Sequence, residues 1–236
     1  MNNQITLNGE VRDDYFYNEA IKTLRTNIQF SGSNIRVIML TSSMPDEGKS
    51  ETTFALASAM AQIGNRVLLV DSDIRKSVMA SRYQPNQKVD GLSQYLTGQK
   101  SLQEVLYHTN ITNLDMVFSG PLSPNPAELL EEAAYTKLLE WARQEYDYVF
   151  IDTPPIGSVI DGAIVAGHCD GAIIVVKSGC ISYKLLQKVK AQLERTGCRI
   201  LGTVLNRVDM KQHGYYRYYG KYQGYYYEAD EITSEE

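Results

Sequence analysis

The segment Ser43-Met44-Pro45-Asp46-Glu47-Gly48-Lys49-Ser50 combines residue types that can hold a phosphate chain. A glycine-containing turn that opens a helix presents backbone N–H groups at the positive end of the helix dipole, a concave donor set for phosphate oxygens. Gly48 lets the backbone come close, Lys49 reaches the terminal phosphates, and the Ser50 hydroxyl can coordinate Mg2+. Two positions depart from the general pattern. Ser43 stands where glycine is usual, and Asp46 adds a carboxylate that is tolerable only if it points outward. Alone, the segment also fits a capped strand-to-helix turn with a solvent-facing lysine.

Two acidic strand ends favour the chemical reading. The run from Val67 closes in Asp71-Ser72-Asp73, followed by the base Arg75, and the run from Tyr148 closes in Asp152. In an open parallel sheet, ligands sit beyond the carboxyl ends of the strands, so all three acids are expected on the edge that carries the phosphate turn. Asp152 has the place of an acid that holds Mg2+ directly or through water. Asp71 and Asp73 then remain to shape the metal shell or to accept a proton from a hydroxyl nucleophile. Such a set suits phosphoryl transfer, which needs positioning, charge neutralisation and an oriented nucleophile. His108, His168 and His213 have no triad context, so covalent catalysis is not indicated.

A sheet must place these groups. Residues 36–41, 66–71, 114–119, 148–152, 171–177 and 199–206 are nearly continuous apolar runs, the pattern of strands buried on both faces. Helical spacing predicts helices over 13–29, 49–63, 127–144 and 182–196. Ala20, Leu24 and Ile28 recur at spacing four in the first, Gly64 and Gly197 stop the second and last, and Pro126 suits a first turn. The alternation predicts an α/β class with a mostly parallel sheet flanked by helices. Pro121, Pro124 and Pro126 mark a rigid loop, while Tyr83, Tyr95 and Tyr107 read as packing residues.

After Asp209 the pattern stops. Eight of the chain's seventeen tyrosines (Tyr215, Tyr216, Tyr218, Tyr219, Tyr222, Tyr225, Tyr226 and Tyr227) crowd a stretch without helical or strand period, and the terminus is acidic. It reads as a flexible, solvated tail. The expected organisation is an N-terminal helical segment over 1–32, a catalytic domain over 33–209 and a tyrosine-rich tail over 210–236.

Bulk properties narrow the class. With 43% hydrophobic and 22% charged residues, 236 residues suffice for one large globular domain. A net charge of −5 argues against nucleic acid as a partner. No apolar run approaches the ~20 residues of a membrane span, and the N-terminus lacks the basic and apolar regions of a secretion signal. Cys169, Cys180 and Cys198 fit neither a disulfide framework nor a zinc site. The expected location is the cytoplasm.

Taken together, SSMPDEGKS, VLLVDSDIR and YDYVFIDTPP resemble the Walker A, A′ and B motifs of bacterial tyrosine kinases. With the tyrosine cluster, the chain is similar over nearly its whole length to the cytoplasmic capsule and exopolysaccharide kinases of Gram-positive organisms. The resemblance implies a P-loop NTPase-like fold, ATP and Mg2+ as cofactors, and phosphorylation of the tail tyrosines. It places the 43–51 segment around the nucleotide (Ser43, Asp46, Glu47, Gly48, Lys49, Ser50 and Glu51), with Lys49 and Ser50 at the phosphates and metal. Asp71 and Asp73 become the catalytic acid pair, with Asp71 and Asp152 at the metal, and Asn206 contacts adenine. Asp46 and Glu51 replace the more frequent Gly and Thr. An N-terminal Glu-x-x-Arg-x-x-Arg helix builds a ring, commonly an octamer, in such kinases; Glu19, Lys22 and Arg25 match it, with lysine for the first arginine. Lysine lacks the planar fork of arginine, and a solvated charged face is the plain alternative.

The resemblance further implies a membrane-embedded activator that recruits the kinase to the inner membrane face, a cognate tyrosine phosphatase, and sugar-nucleotide or polysaccharide enzymes as substrates. Two other readings compete. Septum-positioning and DNA-partitioning ATPase switches share the sheet, but carry a second lysine early in the phosphate turn, and none lies between Ile28 and Gly48 here. The tyrosine cluster with Arg217 and Lys221 also resembles a surface for stacking single-stranded RNA, against which its few bases and acidic end argue.

Overall fold

The computed structural model describes residues 3–9, 12 and 14–209; the tyrosine tail and its eight proposed acceptors lie outside the described residues. The chain enters through α1 (Tyr15–Gln29), β1 (Val37–Ser42), α2 (Lys49–Gln62) and β2 (Val67–Asp71). Three short helices follow, α3 (Met79–Tyr83), α4 (Leu92–Leu96) and α5 (Leu102–Val105), then β3 (Leu106–His108) and β4 (Leu114–Val117). The second half runs α6 (Pro126–Glu131), α7 (Ala133–Glu145), β5 (Tyr148–Asp152), α8 (Asp161–Ala166), β6 (Gly171–Lys177), α9 (Tyr183–Arg195) and β7 (Ile200–Asn206).

The strands form one seven-stranded sheet in the order β3-β4-β2-β5-β1-β6-β7. All neighbouring pairs are parallel except β3 and β4. Alternate side chains leave a strand on opposite faces, and the core divides accordingly. Val37, Met39, Leu68 and Val70 pack with Leu130, Tyr135, Leu138 and Val189 from the second-half helices. Ile38, Leu40, Val67 and Leu69 pack with Ile28, Phe54, Met60 and Met79 on the other face. Both faces of the central strands are therefore dry, which is why these read as unbroken apolar runs, whereas the edge strand β7, expected to be buried on both faces, is largely open. Tyr83 and Tyr107 are buried packing residues, and Tyr95 leans on the core half-buried, as the sequence suggested.

Three expectations change. Helix 127–144 is two helices, because Glu132 is extended (φ −61°, ψ 143°). Leu130 and Tyr135 both enter the core, and their separation of five residues does not fit a continuous helical stripe; the extended residue absorbs the excess. In α1 Ile21 and Ile28 are buried and Leu24 packs half-buried against the same core, while Ala20 is exposed, so the stripe runs 21, 24, 28 instead of 20, 24, 28. The helix starts after Asp14, whose Oδ1 accepts the Tyr17 N–H at 3.1 Å. Finally, β3 was absent from the expected strands; three residues carry no usable alternation. Among the described residues no helix is long and apolar enough to cross a membrane.

Candidate active site

The phosphate turn lies between β1, buried at every position, and α2, which starts at Lys49. Gly48 adopts φ 87°, a left-handed conformation that glycine takes without strain. A side chain at this position would also collide with the Asn206 amide. Asp46 has φ 63° and is exposed, turned outward as its charge requires. Glu47 is buried and ties the turn together. Its Oε2 accepts the Met44 N–H at 2.8 Å and its Oε1 the Lys177 N–H at 3.1 Å. Asn206 Nδ2 donates to the Glu47 carbonyl at 2.9 Å, which anchors the turn to the end of β7. Ser43 is fully buried, and its Oγ has no hydrogen-bond partner among the described residues. Glu51 points away to Arg82 at 3.4 Å.

The residues expected to be catalytic converge beside this turn. Lys49 Nζ donates to Asp152 Oδ1 at 2.7 Å and lies 3.2 Å from Ser50 Oγ. Thr53, one helical turn further along α2, brings its Oγ1 to 3.3 Å from the same Asp152 oxygen. Asp71 and Asp152 face each other in register on β2 and β5, so two buried carboxyls end adjacent strands. Burial disfavours both charges. Asp71 is pushed up to about 7, by burial first and then by the nearby Asp152 charge, with the Ser77 hydrogen bond and Lys49 pulling the other way. Burial also raises Asp152, against the opposing attraction and hydrogen bond of Lys49. Asp73 is buried at the margin, donates its N–H to Asp71 Oδ1 at 3.2 Å and accepts from Lys76 N at 2.9 Å.

Four supporting contacts escaped the sequence reading. Thr53 could have been found, since i and i+4 share a helix side. Ser77 donates its hydroxyl to Asp71 Oδ2 from a loop whose path has no signature. Arg75 makes a two-pronged bond to the buried Asp161, at 2.6 and 2.9 Å, and so joins the loop after β2 to the start of α8. Ser72 and Tyr135 share a buried hydrogen bond at 3.0 Å.

The expected assembly residues sit apart from this site. Glu19 and Lys22 pair at 2.6 Å on the exposed side of α1. Arg25 turns inward instead, with Nη1 donating to the Ala59 carbonyl of α2 at 3.2 Å.

The donor set also fits magnesium. Among the described residues no three His, Cys, Asp or Glu side chains form a metal cage. A hydroxyl, Ser50, with the carboxylates Asp71 and Asp152 is instead an all-oxygen, partial set. Mg2+ is bound in this manner, by one or two carboxylates with substrate phosphates and waters completing the shell.

A family model described as an AAA domain matches residues 35–199. Tyrosine-protein kinase CpsD of Streptococcus agalactiae is 41% identical over 205 residues, covering 86% of this chain and 90% of that protein. The kinase domain of the Escherichia coli tyrosine kinase ETK superposes with a TM-score of 0.76 at 32% identity, covering 81% of this chain and 77% of that one. The septum site-determining protein MinD of Pyrococcus horikoshii, complexed with Mg-ADP, gives a TM-score of 0.64 at 23% identity over 75% of this chain and 72% of that one. At that identity the likeness speaks for the shared P-loop NTPase-like fold alone. With relatives this similar over most of both chains, and with lysine, hydroxyl and paired carboxylates gathered at one sheet edge, the chain belongs to the bacterial tyrosine-protein kinases.

Proposed function

We propose that this kinase transfers the γ-phosphoryl group of ATP, with Mg2+, to the tyrosines of its own C-terminal cluster, between subunits of a ring, and thereby regulates capsular or exopolysaccharide synthesis. The observation that carries the reading is the buried Lys49–Asp152 pair with Asp71 in register beside it, at the edge where the phosphate turn opens. Lys49 neutralises charge developing on the transferred group. Ser50, Asp71 and Asp152 hold the metal, which supplies further neutralisation of the phosphates. Asp73, nearer the margin, takes the proton of the incoming tyrosine hydroxyl, and Asn206 contacts adenine beside the turn it anchors.

β7 ends at Asn206 on the same edge, so the tail starts close to an active site. Thirteen residues, from 209 to 222, span at most about 45 Å when extended, enough to reach a neighbouring subunit. The partners proposed are a membrane-embedded activator, a cognate phosphatase and sugar-nucleotide or polysaccharide enzymes. Intact mass after incubation with ATP and magnesium tests the central claim. Successive phosphate additions, mapped by tandem mass spectrometry to Tyr215–Tyr227, are expected. Release of inorganic phosphate with unchanged protein mass would return the chain to an ATPase switch.

The ring makes a second prediction. Glu19 and Lys22 are exposed and their pairing contributes only about 0.3–0.5 kcal/mol to the monomer. Replacing both with Ala should therefore shift light scattering toward monomer with thermal stability unchanged. Arg25 is left in place because it also bonds α2. An unchanged assembly would make this face an ordinary solvated one.

A further inference from the structure

We infer that Ser77 is a positioning residue for phosphoryl transfer: its hydroxyl locks the Asp71 carboxylate in the orientation the reaction uses. A hydroxyl has a single proton to donate. Ser77 Oγ accepts the Met79 N–H, at the first residue of α3, at 3.1 Å. Its proton goes to Asp71 Oδ2, while Asp71 Oδ1 takes the Asp73 N–H. Both oxygens of the carboxylate thus have a fixed donor, and its rotation is set by two points.

The support behind Ser77 is rigid. Met79 is fully buried, in the same apolar cluster as Phe54 of α2 and Tyr83 of α3. Phe54 and Tyr83 stack with ring centroids 3.7 Å apart. The helix that carries the phosphate turn and the helix that orients Ser77 therefore share one core. Asp71 faces a second buried carboxyl, Asp152, across adjacent strands, and like charges in register push apart. Ser77 opposes that displacement through its bonds to Asp71 and Met79, neither of which belongs to the phosphate turn. Its loss should disturb the geometry of one catalytic group and leave nucleotide binding intact.

The inference rests on the role given to Asp71, and the test separates the two. Full-length Ser77→Ala, Ser77→Thr and Asp71→Asn proteins are compared with the parent for the rate of tyrosine phosphorylation with ATP and magnesium, for ADP affinity by calorimetry and for thermal stability. Ser77→Ala should lower kcat by about ten- to a hundredfold, the scale of one hydrogen bond to a charged group. ADP affinity and ATP KM should stay within about twofold, the pattern of an interaction that acts on the chemical step. Ser77→Thr, which keeps the hydroxyl, should stay within about threefold of the parent on the same scale. A parental kcat in Ser77→Ala, an equal loss in Ser77→Thr, or a loss matched by weaker ADP binding or a lower unfolding temperature would overturn it. If Asp71→Asn retains parental kcat, the fault lies with the role of Asp71 rather than with Ser77.

Discussion

Lys49→Met is expected to abolish tyrosine phosphorylation and to weaken the fold in the same stroke. The first effect follows from charge: phosphoryl transfer is catalysed mainly by fixed groups that meet developing negative charge. Removing one such donor typically costs about a hundred- to a thousandfold in rate. The second follows from burial. Lys49 and Asp152 side chains are 8% and 2% exposed, so methionine leaves a carboxyl in the interior without its cation. Breaking a buried pair from one side costs about 3–5 kcal/mol. The carboxyl can escape by taking up a proton, which becomes harder as pH rises. Urea unfolding of parent and variant at acid and alkaline pH should therefore show a deficit that is larger in alkali. Substantial phosphate incorporation into purified variant would remove Lys49 from the catalytic set, and a deficit independent of pH would remove the buried-charge explanation.

Asp71→Asn should produce a different combination, an inactive protein whose stability gains on that of the parent as pH rises. In the nucleotide-free protein Asp71 is raised from its ordinary 3.8 to about 7, first by burial and then by Asp152. A carboxyl with a raised value in the folded state holds its proton more tightly there. Its contribution is fully present below the ordinary carboxylate value and is lost as pH rises through the raised one. Asparagine cannot ionise, so the difference between variant and parent isolates that loss. Whatever constant cost the new amide brings in meeting the Ser77 and Asp73 donors, the variant should gain on the parent across this pH range. Denaturation curves at several pH values, without magnesium, measure the gain. Parallel stability profiles would mean that Asp71 does not keep its proton on folding, and parental turnover would mean that its charge is not needed.

The central architecture was legible because chemistry and periodicity agreed. Strands buried on both faces write themselves as apolar runs, and an acid at the end of such a run has one plausible edge to occupy; Asp71 and Asp152 arrived there in register. Type and spacing alone placed Lys49 and Ser50 at the start of a helix after a buried strand, and there they lie, with Lys49 on Asp152. What escaped was set by tertiary contact. Ser77 reaches Asp71 only because the 72–78 loop doubles back, and Arg75 meets Asp161 across 86 positions of sequence. Short elements escaped for a different reason: α8 has six residues and β3 three, too few for either period to register. The split at Glu132 was written in the spacing of Leu130 and Tyr135 and could have been read there. Arg25 shares the helix with Glu19 and Lys22, but its long side chain lies back across the neighbouring helix, a contact that no spacing rule shows.

The anchoring of the phosphate turn to β7 has a consequence for protein engineering. Gly48 and Asn206 fill one space, so any side chain added at the first is excluded by the amide of the second, and that amide also carries the Glu47 carbonyl. The last strand and the first loop are thus a single part, although almost the whole catalytic domain separates them in the chain. A chimera that takes its terminal region from a relative cannot be cut at the start of β7 without exchanging half of that part. The safe junction lies beyond Asp209, past Arg207, whose N–H bonds Asn206 Oδ1 at 2.9 Å. Cut there, a chimera keeps the phosphate turn and the strand that anchors it as one part from one parent.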